Sequence, residues 1–363
     1  MTTNTTQPAR FLSVDAVRVV ALLLLIVYHC TAMFQPWANE LGWIQNDRTL
    51  EILWLPMSML NVWRIPILFM ISGMGVLFAM RRRNNGELLK ERSTRILLPF
   101  LFGSATLGPL CSALDQHAFG KPIIYEFSDY HLWFLFNIIV YVVVCIHPFR
   151  WLHNRPHGRP LNGARWLLRT GWFVPAFALP GMVCFGILQP KDFAAYFHTL
   201  HGWIYGAICF ALGFVCACVM GEFQQATLKF RWHLSALGIG LWSIRVLELM
   251  HIPELHSMVN PVIAFESMVW MLAVLGHAFR HWSNGFTGLG YASLAVYPVY
   301  IVHQPIQNAL ALVIFPMPWD PWLKFALLNA GVLGGSVLLF EAIRRMHWLR
   351  PLFGMKRPAA AAR

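Results

Sequence analysis

Apolar residues run along this chain in long stretches separated by short polar connections. About ten of these stretches approach the roughly 20 residues that a helix needs to cross a bilayer. They cover 14–34, 54–80, 96–114, 131–148, 171–189, 203–220, 232–251, 259–279, 289–313 and 322–343. The pattern predicts an all-α protein, a polytopic membrane helix bundle of about ten transmembrane helices. The seventh stretch is the weakest, because Arg245, Glu248 and His251 sit in its second half; an arrangement with one span fewer competes there. No internal repeat is visible, which weighs against transporter folds built from duplicated halves. No connection is long enough to fold by itself. A membrane domain over 14–343 is therefore expected, flanked by a short tail at 1–13 and a basic tail at 344–363.

Composition agrees with this pattern. Of 363 residues, 57% are hydrophobic and only 12% charged, against roughly 25% charged in soluble domains. Sixteen Trp and 27 Phe supply aromatic mass suited to membrane interfaces. The net charge of +12 raises the question of nucleic acid. The placement of the charges excludes that partner, because they gather in loops on one side. Arg81, Arg82, Arg83, Lys90, Arg92 and Arg95 follow the second stretch; Arg150, Arg155, Arg159, Arg165 and Arg169 follow the fourth; Arg344, Arg345, Arg350, Lys356, Arg357 and Arg363 close the chain. The alternate loops hold little beyond Arg48, Lys121 and Lys191. Positive loops stay cytoplasmic, so both termini are expected inside, in a cell's inner membrane. The first apolar run lacks a small-residue cleavage site and reads as a retained span. Seven Cys with no CxxC spacing read as small buried residues, and neither a metal site nor a bound cofactor is expected.

One stretch departs from plain lipid-crossing sequence. DAVRVVALLLLIVYHC, residues 15–30, keeps an arginine and a histidine. Arg18 and His29 are about three helical turns apart, on one face, with a rise of roughly 16 Å. Ionisable residues at such depth are costly and usually face a cavity or a partner. The same rise puts Arg64 about 25 Å, Glu266 and His303 about 21 Å, and His29 about 22 Å from the inner surface. Four costly side chains from four helices thus fall in one outer layer.

In chain order, these residues and others resemble the acyltransferase-3 family of membrane acyltransferases. Arg18 and His29 are similar to its R-x10-H signature. PILFMISGMG (66–75), with Ser72 and Gly73, resembles its second-helix FFxxSG segment. ERSTRILLPF (91–100), with Arg92 and Arg95, resembles its RxxR motif. HLWFL (131–135) resembles the start of a fourth helix, and YPVYIVHQP (297–305) the late tyrosine–histidine helix. Arg64 within WRIPILFMISG, together with HLWFL, looks most like the glucan succinyltransferase subgroup. The resemblance implies an O-acyltransferase that takes an acyl group, acetyl or succinyl, from cytoplasmic acyl-CoA. The acceptor implied is a hydroxyl of an extracytoplasmic glycan or glycoconjugate. Acyl-CoA would be a donor substrate; the other partners are that carbohydrate and the lipid bilayer, and a homo-oligomer is compatible with both.

Such a reaction needs a base, a donor site and stabilisation of developing charge. His29 is the candidate base, with a transient acyl-histidine as the covalent variant. Glu266 is a candidate for orienting a histidine, and equally a structural partner for Arg64 or Arg245. His303 is the deeper candidate of the late helix; Tyr297 there is a substrate-site or interfacial-belt residue. Arg92 and Arg95 share a helix face and are candidates for the CoA phosphates, with Arg18 as a third cation. Arg64 would answer a succinyl carboxylate. His131 and Trp133 are candidates for lining an acceptor entrance, with belt anchoring as the alternative. Ser72 and Gly73 suit close helix packing better than nucleophilic catalysis. The rivals are a transporter or channel with a buried His/Arg/Glu relay, an envelope-complex subunit without catalysis, and an acyltransferase acting on a lipid or small molecule.

Overall fold

The computed structural model describes residues 11–190, 199–251 and 256–356, with side chains at all of these except 248–251 and 256–260. The far ends of both expected tails, Lys191 and the side chains of Glu248 and His251 lie outside the described residues. Within them the chain is helical, without a strand. The thirteen α-helices are α1 (Leu12–Ala32), α2 (Trp54–Asn61), α3 (Arg64–Met80), α4 (Asn85–Arg92), α5 (Leu98–Ala118), α6 (Trp133–His153), α7 (Arg159–Thr170), α8 (Phe173–Leu188), α9 (Leu200–Cys218), α10 (Met220–His251), α11 (His256–His281), α12 (Leu289–Ile314) and α13 (Pro321–Arg345).

Seven helical segments among the described residues are long and apolar enough to cross a membrane: Leu12–Ala32, Glu51–Met80, Asn85–Ala118, Trp133–His153, Leu200–Cys218, Pro261–His281 and Pro321–Arg345. The pair α7 and α8, bent by 118°, makes an eighth if taken as one span. The chain is therefore a multi-pass membrane protein. The expected stretches 232–251 and 289–313 form α10 and α12, both long helices that fall outside that set. In α12 the reason is visible: His303, Gln304, Gln307 and Asn308 interrupt the apolar run, and all are at most 1% exposed. They are polar residues turned into protein rather than lipid.

Packing explains how α12 holds this position. It lies against α1, α5 and α13, while α3 lies along α9 and α10 along α11. Lipid offers little hydrophobic drive for helix pairing, so close backbone approach carries much of it. Gly73 and Gly213 permit that approach: a Cβ on Gly73 would run into the Phe210 carbonyl, and one on Gly213 into the Met70 backbone. Ser72 beside it donates to the Leu68 carbonyl at 2.7 Å.

The connections are also fastened. Asn84 and Glu87 form a reciprocal capping box at the start of α4. Arg150 of α6 reaches Asn85 at 2.9 Å and the carbonyls of Met80 and Arg83 at 3.1 and 2.7 Å, tying α6 to the end of α3. Between α5 and α6 the chain turns back so that Ser128 N donates to Ser104 O at 3.2 Å. A Cβ at Gly108 would collide with the Ser128 carbonyl. This return places Tyr130, at φ +41°, against the end of α5 and His131 against the middle of α12.

Candidate active site

A cavity of about 860 Å³ opens between α1, α2, α3, α6 and α12, the end of α5, and the connections after α1 and α5. Along α1 it is lined by Arg18, Leu22, Leu25, His29 and Ala32. Their spacing of three or four residues is one continuous helix face. One cavity therefore runs from a guanidinium near the start of α1 to an imidazole near its end. Arg64, His131, Trp133 and Tyr297 line the same space, as do Trp37, Glu40 and Trp43 from the connection after α1.

His29 is held from behind by α12. Its Nδ1 lies 2.9 Å from Gln304 Oε1 and 3.3 Å from His303 Nε2. The edge of Trp43 closes one side, with ring centroids 5.1 Å apart. His29 Nε2 has no hydrogen-bond partner among the described residues, and the residue lines the cavity. His303 is fully buried, with Nδ1 2.7 Å from the Tyr300 carbonyl. His131 places Nε2 3.0 Å from the Ile301 carbonyl, and its buried Nδ1 has no partner among the described residues. Tyr300 in turn donates its hydroxyl to the His131 carbonyl. Three imidazoles from three helices or their leads thus meet over one turn of α12, the His29 and His303 rings 5.4 Å apart and those of His131 and His303 5.1 Å apart.

Behind Gln304 the polar chain continues. Gln304 Nε2 donates to Asn308 Oδ1 at 3.2 Å, Asn308 Nδ2 donates to Asp115 Oδ1 at 2.9 Å, and Tyr130 donates to Asp115 Oδ2 at 2.6 Å. The carboxylate connected to His29 is therefore Asp115.

Glu266 sits elsewhere. Its two oxygens take Arg245 Nε and Nη2 at 2.7 and 3.0 Å, and both residues are buried. Among the described residues no histidine bonds to this carboxylate; of the two roles expected for it, the structure supplies the arginine partner. The pair reaches the cavity wall at Ser58, whose carbonyl accepts from Arg245 at 2.9 Å.

Arg64 lies over the Tyr28 ring at 3.6 Å, and Tyr28 donates to Asn61 at 3.0 Å. Arg18 pairs with Asp15 at 3.2 Å. Arg92 and Arg95 are outside the cavity lining. Arg92 precedes and Arg95 lies within a π-helical turn at Ser93–Leu97, both pair with Glu91, at 3.4 and 3.1 Å, and they reach the carbonyls of Gly75 and Gly354. Sequence reading passed over Gln304, Asn308, Tyr130 and Asp115. A signal existed for the first two: polar residues at i and i+4 inside an apolar helix share a face.

The family and relatives fit this geometry. A family model described as "Acyltransferase domain" matches residues 11–341. The chain is 23% identical over 384 residues to "Glucans biosynthesis protein C" of Escherichia coli O81 (strain ED1a), covering 94% of each chain. It is 24% identical over 374 residues to the protein of that name from Salmonella paratyphi B (strain ATCC BAA-1250 / SPB7), covering 95% of this chain and 94% of the relative. No solved structure matches significantly.

Proposed function

Because this chain belongs to the acyltransferase domain family, we propose that it is an acyl-CoA-dependent membrane O-acyltransferase whose reaction takes place at His29. The observation that carries this reading is the shared cavity: Arg18 and His29 line one face of α1, and His29 Nε2 has no partner among the described residues. The donor enters from the cytoplasmic side. Its phosphates meet Arg18 and the more exposed Arg95, with Glu91 bracing both Arg92 and Arg95. The slender acyl-bearing arm runs along Leu22 and Leu25 towards His29.

The acceptor hydroxyl approaches from the opposite end, past Trp37, Trp43, His131 and Trp133. His29 Nε2 takes its proton as the oxygen bonds to the thioester carbonyl carbon. The carbon–sulfur bond breaks, and the departing CoA sulfur takes the proton back from Nε2. The products are an ester and CoA thiol. His303 holds the back of the His29 ring, and Tyr297 lines the donor path.

The relatives' name supports a glucan-type acceptor, and Arg64 supplies a cation for a succinyl carboxylate on the transferred chain. The arrangement that goes with this reading has ten spans, α10 and α12 included, both termini in the cytoplasm and the chain in the inner membrane. It follows from the arginine-rich loops.

The test is acyl-CoA binding and CoA-thiol release by the purified protein, offered acetyl-CoA and succinyl-CoA. Slow release without an acceptor, accelerated by a glucan, is expected. A protein that neither binds nor consumes either thioester contradicts the reading and returns a transporter or channel in its place.

A further inference from the structure

We infer that Asp115, Tyr130, Asn308 and Gln304 form a positioning chain that fixes which nitrogen of His29 carries its proton. The inference rests on the acyl-transfer reading above for its consequence, but on hydrogen-bond logic for its content. An ionised carboxylate can only accept hydrogen bonds. Asp115 is the end of the chain, and its two oxygens face Asn308 Nδ2 at 2.9 Å and the Tyr130 hydroxyl at 2.6 Å. Asn308 must therefore turn its amide nitrogen towards Asp115, which leaves its oxygen facing Gln304 at 3.2 Å. Gln304 must then present its nitrogen to Asn308 and its oxygen to His29 at 2.9 Å. An amide oxygen accepts, so the hydrogen sits on His29 Nδ1.

A second acceptor reaches the same conclusion independently. A backbone carbonyl also only accepts, and the Tyr300 carbonyl lies 2.7 Å from His303 Nδ1. In the neutral ring the His303 hydrogen is thus on Nδ1, and its Nε2 carries a lone pair. That lone pair faces His29 Nδ1 at 3.3 Å, which again calls for a hydrogen there. Both constraints leave the lone pair of His29 on Nε2, the nitrogen without a partner among the described residues. The base is poised before substrate arrives. The backbone at Tyr130, with φ +41°, is in a conformation that side-chain-bearing residues seldom adopt. It is held where the hydroxyl can reach Asp115.

Moving the carboxylate along the chain tests this. Asp115→Asn removes the obligate acceptor, so the two amides can reverse and His29 loses its assigned tautomer. The expected effect is a fall in kcat of about 10- to 100-fold, comparable to the loss of the outer hydrogen-bond partner of a metal-bound histidine, with KM for acyl-CoA little changed. Gln304→Glu in the same background restores an acceptor-only group beside His29 Nδ1. Asn308 then turns over, and Asn at 115 donates to it. The double variant is expected to recover most of the lost kcat.

A structural role predicts the opposite, since a buried charge added to a weakened site should lower activity further. Ring-15N-labelled histidine spectra read the tautomer without turnover, with the His29 signal assigned by its loss in His29→Gln. Protonated Nδ1 is expected in the wild type and the double variant. A wild-type His29 protonated on Nε2, or an Asp115→Asn variant with unchanged kcat, overturns the inference. A wild type with the expected tautomer but no thioester turnover leaves the chain standing as structure and overturns the acyl-transfer reading, so the two failures are distinguishable.

Discussion

Two polar clusters are buried in this bundle, and they behave oppositely. Arg245 and Glu266 close on each other in a two-bond fork, with the remaining Arg245 contact going to a backbone carbonyl. His29, Gln304, Asn308 and Asp115 form a line instead, anchored at a carboxylate and ending at a ring nitrogen beside a cavity. Both clusters meet the membrane's demand that polar groups find partners. The closed one turns its two charged groups on each other. The open one ends at a ring nitrogen, His29 Nε2, that has no partner among the described residues and belongs to a cavity-lining residue. Depth in the membrane marks what is costly; the direction in which the hydrogen bonds run separates a brace from a reactive group.

The largest effects should come from breaking the closed pair. Glu266→Ala strands Arg245 and should destabilise the bundle by about 3–5 kcal/mol, read as a lowered thermal midpoint in detergent. Turnover per folded molecule should be kept. Replacing both residues together, Arg245→Met with Glu266→Leu, should restore most of the stability, because a buried pair is often replaceable by packed apolar side chains. A Glu266→Gln variant that loses turnover at an unchanged midpoint would dissolve the contrast and bring Glu266 into the chemistry.

A smaller effect is expected at the cavity. Arg64→Ala should lower the preference for succinyl-CoA over acetyl-CoA by roughly 10-fold or more, the value of one charge-assisted hydrogen bond. An unchanged ratio removes Arg64 from donor selection. The smallest effect is outside the bundle core. Lys324, 1% exposed, donates to Asp47 at 3.1 Å and holds its carboxyl below the usual range. A depressed carboxyl contributes stability above its unfolded pKa, near 4, and loses it as pH falls through the lower folded value. Asp47 is largely exposed, so the contribution should be roughly 0.5 kcal/mol or less. Asp47→Asn should flatten the dependence of the midpoint on pH below about pH 5. An equal acid slope in both proteins would assign that slope to other carboxylates.

Much of this was legible in the chain. The apolar runs gave the helices, and the spacing of Arg18 and His29 gave one face, which the cavity then occupies. The depth estimate grouped His29, His303, Arg64 and Glu266, and the first two do meet. Depth is only one coordinate. The rotation of each helix about its axis decides the neighbour, and rotation turned Glu266 towards Arg245. Asp115 reads in sequence as a loop charge after the third apolar run, because its partner Asn308 lies 193 residues away. The membrane-span count is blurred for a related reason: α12 holds the site's polar residues, and that lowers the hydropathy by which a span is recognised. Arg92 and Arg95 share a face as their spacing implies, but the same face carries Glu91, which pairs with both.

The most direct measurement compares wild type with His29→Gln in CoA release from the preferred acyl-CoA, with CoA affinity measured on the same preparations. Loss of a general base should lower the rate by about 100-fold or more, while CoA affinity stays within about twofold, since the proposed phosphate site is at the Arg18 end, away from His29. Equal rates in the two proteins would contradict the assignment of the chemical step to His29.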